Sequence, residues 1–143
     1  MKRALHVAQK ALLLNKIPIG AILVYNNFEL GLGFNFSKFH HCFFCHAEVM
    51  SLKQGCFYNS NYLLNNIVLY ITLEPCSNCM FFIFSSNVTR IVFAAYSKKK
   101  SLFFLDSICC KKNSVTGGVL ENKSIFLLKK FFSKNRFNSM NCF

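Results

Sequence analysis

At 143 residues and 53% hydrophobic, with no Pro-, Ser- or Gly-rich stretch to divide it, the chain is long enough for one substantial core and is expected to form a single domain over residues 1–143. Seventeen basic residues against five acidic ones give a net charge of +12, which suits a polyanionic partner, although AT-rich codons also enrich a chain in Phe, Asn, Lys and Ile. The apolar runs are too short or too interrupted to cross a bilayer, which excludes an integral membrane protein built on helices.

The first element expected is an amphipathic helix from Lys2 to Leu14, with Leu5, Ala8 and Leu12 along its apolar stripe. Two strands follow, Ala21 to Tyr25 and Phe28 to Phe34, joined at Asn26-Asn27, a pair that tolerates a tight hairpin turn. Residues Phe36 to Cys45 read as a loop. A helix from His46 to about Gln54 leads to a buried strand at Ile67 to Leu73, a helix from Cys76 to about Ser86 and a strand at Arg90 to Ala95. A short strand near Val115 and Thr116 and a helix from Lys123 to Lys134 complete the series. Strands interleaved with helices imply a layered α/β fold with helices on both faces of the sheet.

Eight cysteines would fit a disulfide-stapled secreted domain. Met1, however, leads almost directly into the first amphipathic segment, without a charged leader, apolar stretch and cleavage site. A reducing cytoplasm is therefore expected, with Cys42, Cys45, Cys56, Cys109, Cys110 and Cys142 as free thiols or core fillers.

The remaining two cysteines stand in a different context. His46-Ala47-Glu48 is followed by Pro75-Cys76-Ser77-Asn78-Cys79. Three protein ligands leave the fourth tetrahedral position of Zn²⁺ open, whereas structural zinc sites are closed by four, so this donor count favours catalysis. Cys76 and Cys79 are one helical turn apart, and Pro75 suits a helix start, where the helix dipole favours thiolates. Glu48 can reach a metal-activated water without occupying the metal. The other acidic residues lack that context: Glu29 sits at a hairpin, Asp106 among lysines, Glu121 after a strand, and Glu74 beside Pro75 where a helix-entry or backbone-bonding role is expected. His6, His40 and His41 default to surface or loop positions.

This combination resembles the tRNA-specific adenosine deaminases, the TadA family of zinc nucleobase deaminases, and the similarity extends beyond the metal motif. It includes Ile17-Pro18-Ile19-Gly20-Ala21, Gly31-Leu32-Gly33-Phe34-Asn35, Leu69 to Cys76, Arg90-Ile91-Val92-Phe93, Thr116 to Leu120, and Phe131-Phe132 in the last helix. The resemblance implies a cytidine deaminase-like three-layer α/β/α sandwich with a central mixed sheet. It implies one zinc per subunit on His46, Cys76 and Cys79, and Glu48 as the proton carrier in hydrolytic deamination of adenosine to inosine. By the same resemblance Asn35 and the backbone amide of Ala47 hold the base, and Pro18 and Ile19 line the pocket. The implied substrate is the wobble adenosine of a tRNA anticodon, in bacteria chiefly of an arginine tRNA, bound by a homodimer. Lys98, Lys129, Lys130, Phe132, Lys134 and Arg136 are the candidate RNA contacts, with Lys99 and Lys100 in the same basic run.

Two segments depart from the family pattern. Cys42-Phe43-Phe44-Cys45 replaces Asp-Pro-Thr-Ala before the metal histidine, and Ser97 followed by Lys98-Lys99-Lys100-Ser101 replaces an acidic residue and a glycine-bearing loop. A small-molecule deaminase acting on cytosine, cytidine or guanine shares the same zinc chemistry and is the main alternative. A noncatalytic zinc-stabilised RNA-binding module is a further one, but it would not require Glu48.

Overall fold

Asn26 and Asn27 both adopt left-handed backbone conformations (φ 44° and 69°), which is the turn that lets two twisted strands reverse within two residues. They join β1 (Gly20–Tyr25) to β2 (Phe28–Phe34) as an antiparallel hairpin with a register shift between Leu23 and Val24. The computed structural model describes residues 1–36, 43–58, 66–86, 88–97 and 114–140, with only the backbone described at 43, 58 and 135–140. The expectations placed on His40, His41, Cys42, Lys98, Lys99, Lys100, Asp106, Cys109, Cys110 and Cys142 lie outside the described residues, as does the side chain of Arg136.

The described strands form a five-stranded sheet in the order β2-β1-β3-β4-β5, with β3 (Ile67–Leu73), β4 (Val88–Ala95) and β5 (Ser114–Thr116). β1 pairs antiparallel with β2 and β3, whereas β3, β4 and β5 run parallel, so the sheet is mixed. β4 begins at Val88, earlier than Arg90, because Val88 pairs with Ile67 and the Thr89 hydroxyl donates to the Ile67 carbonyl at 2.9 Å.

Alternation along β1 sends neighbouring side chains to opposite layers. Ile22 packs with Ala4 and Val7 of α1 (Lys2–Leu13), while Ala21 and Leu23 cluster with Ala47 and Leu52 of α2 (Ala47–Tyr58). The stripe of Leu5, Ala8 and Leu12 on α1 meets Leu127 of α4 (Glu121–Met140), and α3 (Ser77–Ser85) lies beside α2. The result is the three-layer α/β/α sandwich of the cytidine deaminase type, with helices on both faces of a mixed sheet. α2 outruns the expected end at Gln54 because Gly55 is not a stop: a Cβ there would strike the Leu23 side chain, so the missing side chain is what lets the helix continue across β1. Among the described residues no helix is long and apolar enough to cross a membrane.

Candidate metal centre

The antiparallel start of β1 and end of β2 lie at the same edge as the carboxyl ends of β3 and β4. Open α/β sheets bind ligands at such an edge. Segments 17–19, 35–36, 43–48, 74–79 and 95–97 therefore converge there from distant parts of the sequence.

α2 reaches this edge because β2 carries glycines beneath it. A Cβ at Gly33 would collide with the Ala47 carbonyl oxygen and the Ser51 amide nitrogen, so the first turn of α2 rests directly on the strand. His46 stands immediately before the helix, one residue outside the expected start, and its carbonyl accepts from the Met50 N–H at 3.0 Å. Cys76 likewise precedes α3, with its carbonyl accepting from the Met80 N–H at 2.9 Å, while Cys79 is buried in the first turn.

His46 Nδ1 lies 3.2 Å from Cys79 Sγ and 3.7 Å from Cys76 Sγ. All three donor atoms fall within 4.8 Å of one another, and they are the group of His, Cys, Asp or Glu positioned to hold a metal ion among the described residues. Zn–S and Zn–N bonds of about 2.3 and 2.0 Å in a tetrahedron place neighbouring donors roughly 3.5 to 3.8 Å apart, which this cluster nearly meets. One imidazole and two thiols fit zinc and leave its fourth position for a non-protein ligand. The buried His46 Nε2 has no hydrogen-bond partner among the described residues.

The electrostatics of the three donors are coupled. The Cys79 thiol donates to Cys76 and lowers the Cys76 thiol to about 4, with His46 adding to the effect, while Cys79 itself is raised by that same bond and by burial. Hydrogen bonding to Cys76 raises His46. Glu48, 5% exposed, is pushed up to about 7 by burial, against opposing contributions from its own backbone N–H and the His46 charge. A buried carboxyl with this pKa can both take and return a proton near neutrality. Ser51, fully buried one turn on, donates its hydroxyl to the Glu48 carbonyl at 2.8 Å and fixes the start of the helix.

Asn35 is 4% exposed, and its Oδ1 accepts from the Ala47 N–H at 2.9 Å. The two groups that the resemblance assigns to the base are thus bonded to each other, which leaves the carboxamide NH₂ as the Asn35 donor for a ligand. Pro18 and Ile19 are both buried; Ile19 packs in the main core cluster and its carbonyl accepts from the Asn35 N–H at 3.2 Å. Of the two roles expected of Glu74, helix entry or backbone bonding, it has the second: its carboxylate accepts from the Ser97 N–H at 2.8 Å and clamps the approach to Pro75 onto the end of β4. The sequence reading missed Thr72, whose hydroxyl accepts from the Gly20 N–H at 3.0 Å and whose carbonyl accepts from Ser124 of α4. A buried threonine inside an apolar strand was the available signal.

Among the described residues, the candidate RNA contacts lie on α4. Lys129, Lys130 and Lys134 are exposed, and Phe132 is 44% exposed with its ring edge-on to buried Phe131. Cys45 is half-buried and Cys56 exposed, so neither fills the core.

Residues 1–95 match the family model described as the cytidine and deoxycytidylate deaminase zinc-binding region. The chain is 37% identical to the tRNA-specific adenosine deaminase of Buchnera aphidicola subsp. Baizongia pistaciae, over 95% of its own length and 88% of that protein. It is 38% identical to the tRNA-specific adenosine deaminase of Haemophilus influenzae, over 95% and 83% of the two chains. Among solved structures it resembles one from biochemical and structural studies of A-to-I editing by tRNA:A34 deaminases at the wobble position of transfer RNA, with a TM-score of 0.79, 28% identity, and coverage of 90% and 97% of the two chains. A guanine deaminase from Nitrosomonas europaea superposes with a TM-score of 0.77 at 19% identity, covering 91% of this chain and 81% of that one, a likeness of fold alone.

Proposed function

The chain belongs to the cytidine and deoxycytidylate deaminase family, and from that premise we propose that it deaminates adenosine to inosine at the wobble position of a tRNA anticodon, with an arginine tRNA as the first substrate to test. The observation that carries the reading is the buried Glu48 carboxyl two residues from a His46, Cys76 and Cys79 donor set of zinc geometry. A noncatalytic zinc module has no use for a desolvated carboxyl there.

His46, Cys76 and Cys79 would hold one zinc ion. When bound, zinc supplies a Lewis acid that makes hydroxide available near neutral pH. Glu48 takes the proton of the attacking water and returns protons to the ring nitrogen and the departing amine, so adenosine and water give inosine and ammonia. Asn35 orients the base through its carboxamide, helped by the segment around Ala47, with Pro18 and Ile19 forming the wall behind. All of this rests on one domain spanning residues 1–143.

The net charge of +12 supports an RNA partner, and Lys98, Lys129, Lys130, Lys134 and Arg136 are its proposed phosphate contacts, with Phe132 beside them. The working form we infer is a homodimer. α3 buries Cys79, Met80 and Ile83 inward yet leaves Phe81 70% exposed, and Phe82 lies tilted against exposed Phe44 at 6.0 Å, so an apolar surface stands next to the site. Sedimentation of the zinc-loaded protein as a monomer at the concentration where it is active would reject the dimer.

The test of function compares substrates. Zinc-loaded protein should form inosine in a tRNA anticodon stem-loop and leave free adenosine, cytidine, cytosine and guanine unchanged. Turnover of a free nucleoside or base with none of the stem-loop would move the chain to the small-molecule deaminases.

A further inference from the structure

At the edge where the metal centre sits, one of the exposed aromatic rings, Phe36, is held by both backbone and side-chain contacts. Phe36 follows Asn35 directly, and its N–H donates to the Cys45 carbonyl at 3.0 Å, so it is tied to the residue preceding His46. It is nevertheless 58% exposed. The Lys16 ammonium sits over its ring, 5.0 Å from the centroid, and Phe34 is tilted against it at 6.3 Å. Lys16 is itself anchored. Asn15, in the left-handed region at φ 54°, turns the chain out of α1, and the Lys16 N–H bonds back to the Ala11 carbonyl at 2.9 Å.

We propose that Phe36, backed by Lys16, is a stacking platform for the nucleotide base next to the reacting adenosine, and so a specificity-determining residue that favours a splayed RNA loop over a free nucleoside. This rests on the reading of function given above. Single-stranded RNA is recognised by splaying bases onto aromatic faces, and stacking accepts any base because every base has a π-face. Phe36 is 58% exposed with Lys16 over its ring and Phe34 tilted beside it, so part of the ring remains open for a base, and the cation reinforces it as in other cation–π contacts. Position separates Phe36 from Phe28, 73% exposed at the hairpin end of the sheet, and from Phe57, 81% exposed in the last turn of α2, both away from the metal edge. Phe44 and Tyr96 are exposed at the same edge, but their rings pack against Phe82 and Phe93, whereas the Phe36 ring has the Lys16 ammonium over it.

A thermodynamic cycle tests this with zinc-loaded full chain and an anticodon stem-loop. Phe36→Ala should weaken stem-loop binding and raise KM by roughly 5- to 100-fold with kcat little changed. Phe36→Trp should restore binding, and Phe57→Ala should leave it as in wild type. An abasic nucleotide on one side of the reactive adenosine should weaken wild type by a similar factor, and Phe36→Ala should then add no further loss. Penalties that multiply in full at both neighbouring nucleotides, or a Phe36→Ala protein that binds like wild type, would overturn the platform. Wild type that binds the stem-loop without forming inosine would refute the reading of function while leaving the cycle readable; wild type that does neither overturns both.

Discussion

Replacing Gly33 by Ala should damage the reaction far more than the fold. The added Cβ would lie 2.6 Å from the Ser51 amide nitrogen and closer still to the Ala47 carbonyl oxygen, where ordinary contact begins at 3.4 Å. Both obstacles are helix backbone and cannot rotate away, so the first turn of α2 must lift by on the order of 1 Å, a displacement that can cost about a hundredfold in rate. That turn carries Glu48, follows His46 and holds the Ala47 amide on Asn35. Overpacking of this kind costs about 1 to 3 kcal/mol of stability. Gly31→Ala is the control. Its Cβ would strike the Ser51 carbonyl oxygen and the Gly55 amide nitrogen, further along the same helix and away from the metal edge, so it should cost similar stability with a smaller loss of turnover. Urea unfolding gives the first quantity, and zinc content with single-turnover inosine formation gives the second. Wild-type turnover in Gly33→Ala, or equal damage from both substitutions, would refute the claim that the strand glycines seat the catalytic turn.

Other consequences follow from the same geometry. Cys76→Ala and Cys79→Ala should each lose bound zinc, with about one equivalent per chain in the wild type; full zinc retention by both would remove them as ligands. In zinc-free protein the Glu48 carboxyl is raised from 4.5 to about 7, so the stability of wild type relative to Glu48→Gln should be greatest below pH 4.5 and fall as the pH rises to about 7. The swing is on the order of 3 kcal/mol; urea unfolding of both proteins across that range checks it, and a flat difference would show that the carboxyl is not desolvated. Lys129→Ala and Lys130→Ala should each flatten the log-log dependence of stem-loop affinity on salt by roughly one unit, and an unchanged slope would take that lysine out of the footprint.

The strand bounds of β2 and β3 were legible because turn-forming residues punctuate them: Asn27 precedes Phe28, and Asn66, left-handed at φ 72°, precedes Ile67. The metal donors were legible for a related reason, since Cys76 and Cys79 are local neighbours and His46 with Glu48 are local neighbours; only the meeting of the two pairs is tertiary. What sequence periodicity could not reach were the contacts that exist only across layers. The continuation of α2 past Gln54 rests on one of these, because the clearance of Gly55 over Leu23 belongs to a different element. α4 runs to Met140, past the expected Lys134, and begins at Glu121 after the left-handed Leu120, a residue type that carries no turn signal. The pairing of Asn35 with the Ala47 amide and the seating of Phe36 under Lys16 join segments with no common pattern, so neither leaves a trace in spacing.

The most direct test of the account is the nucleoside content of tRNA after incubation with zinc-loaded wild type and Glu48→Gln protein. Wild type should convert one anticodon adenosine to inosine, while the variant, with the same zinc content and comparable tRNA affinity, should form none. Inosine produced by the variant at an appreciable fraction of the wild-type rate would contradict the assignment of Glu48 as the proton carrier, and with it the reading of this edge of the sheet as a deaminase site.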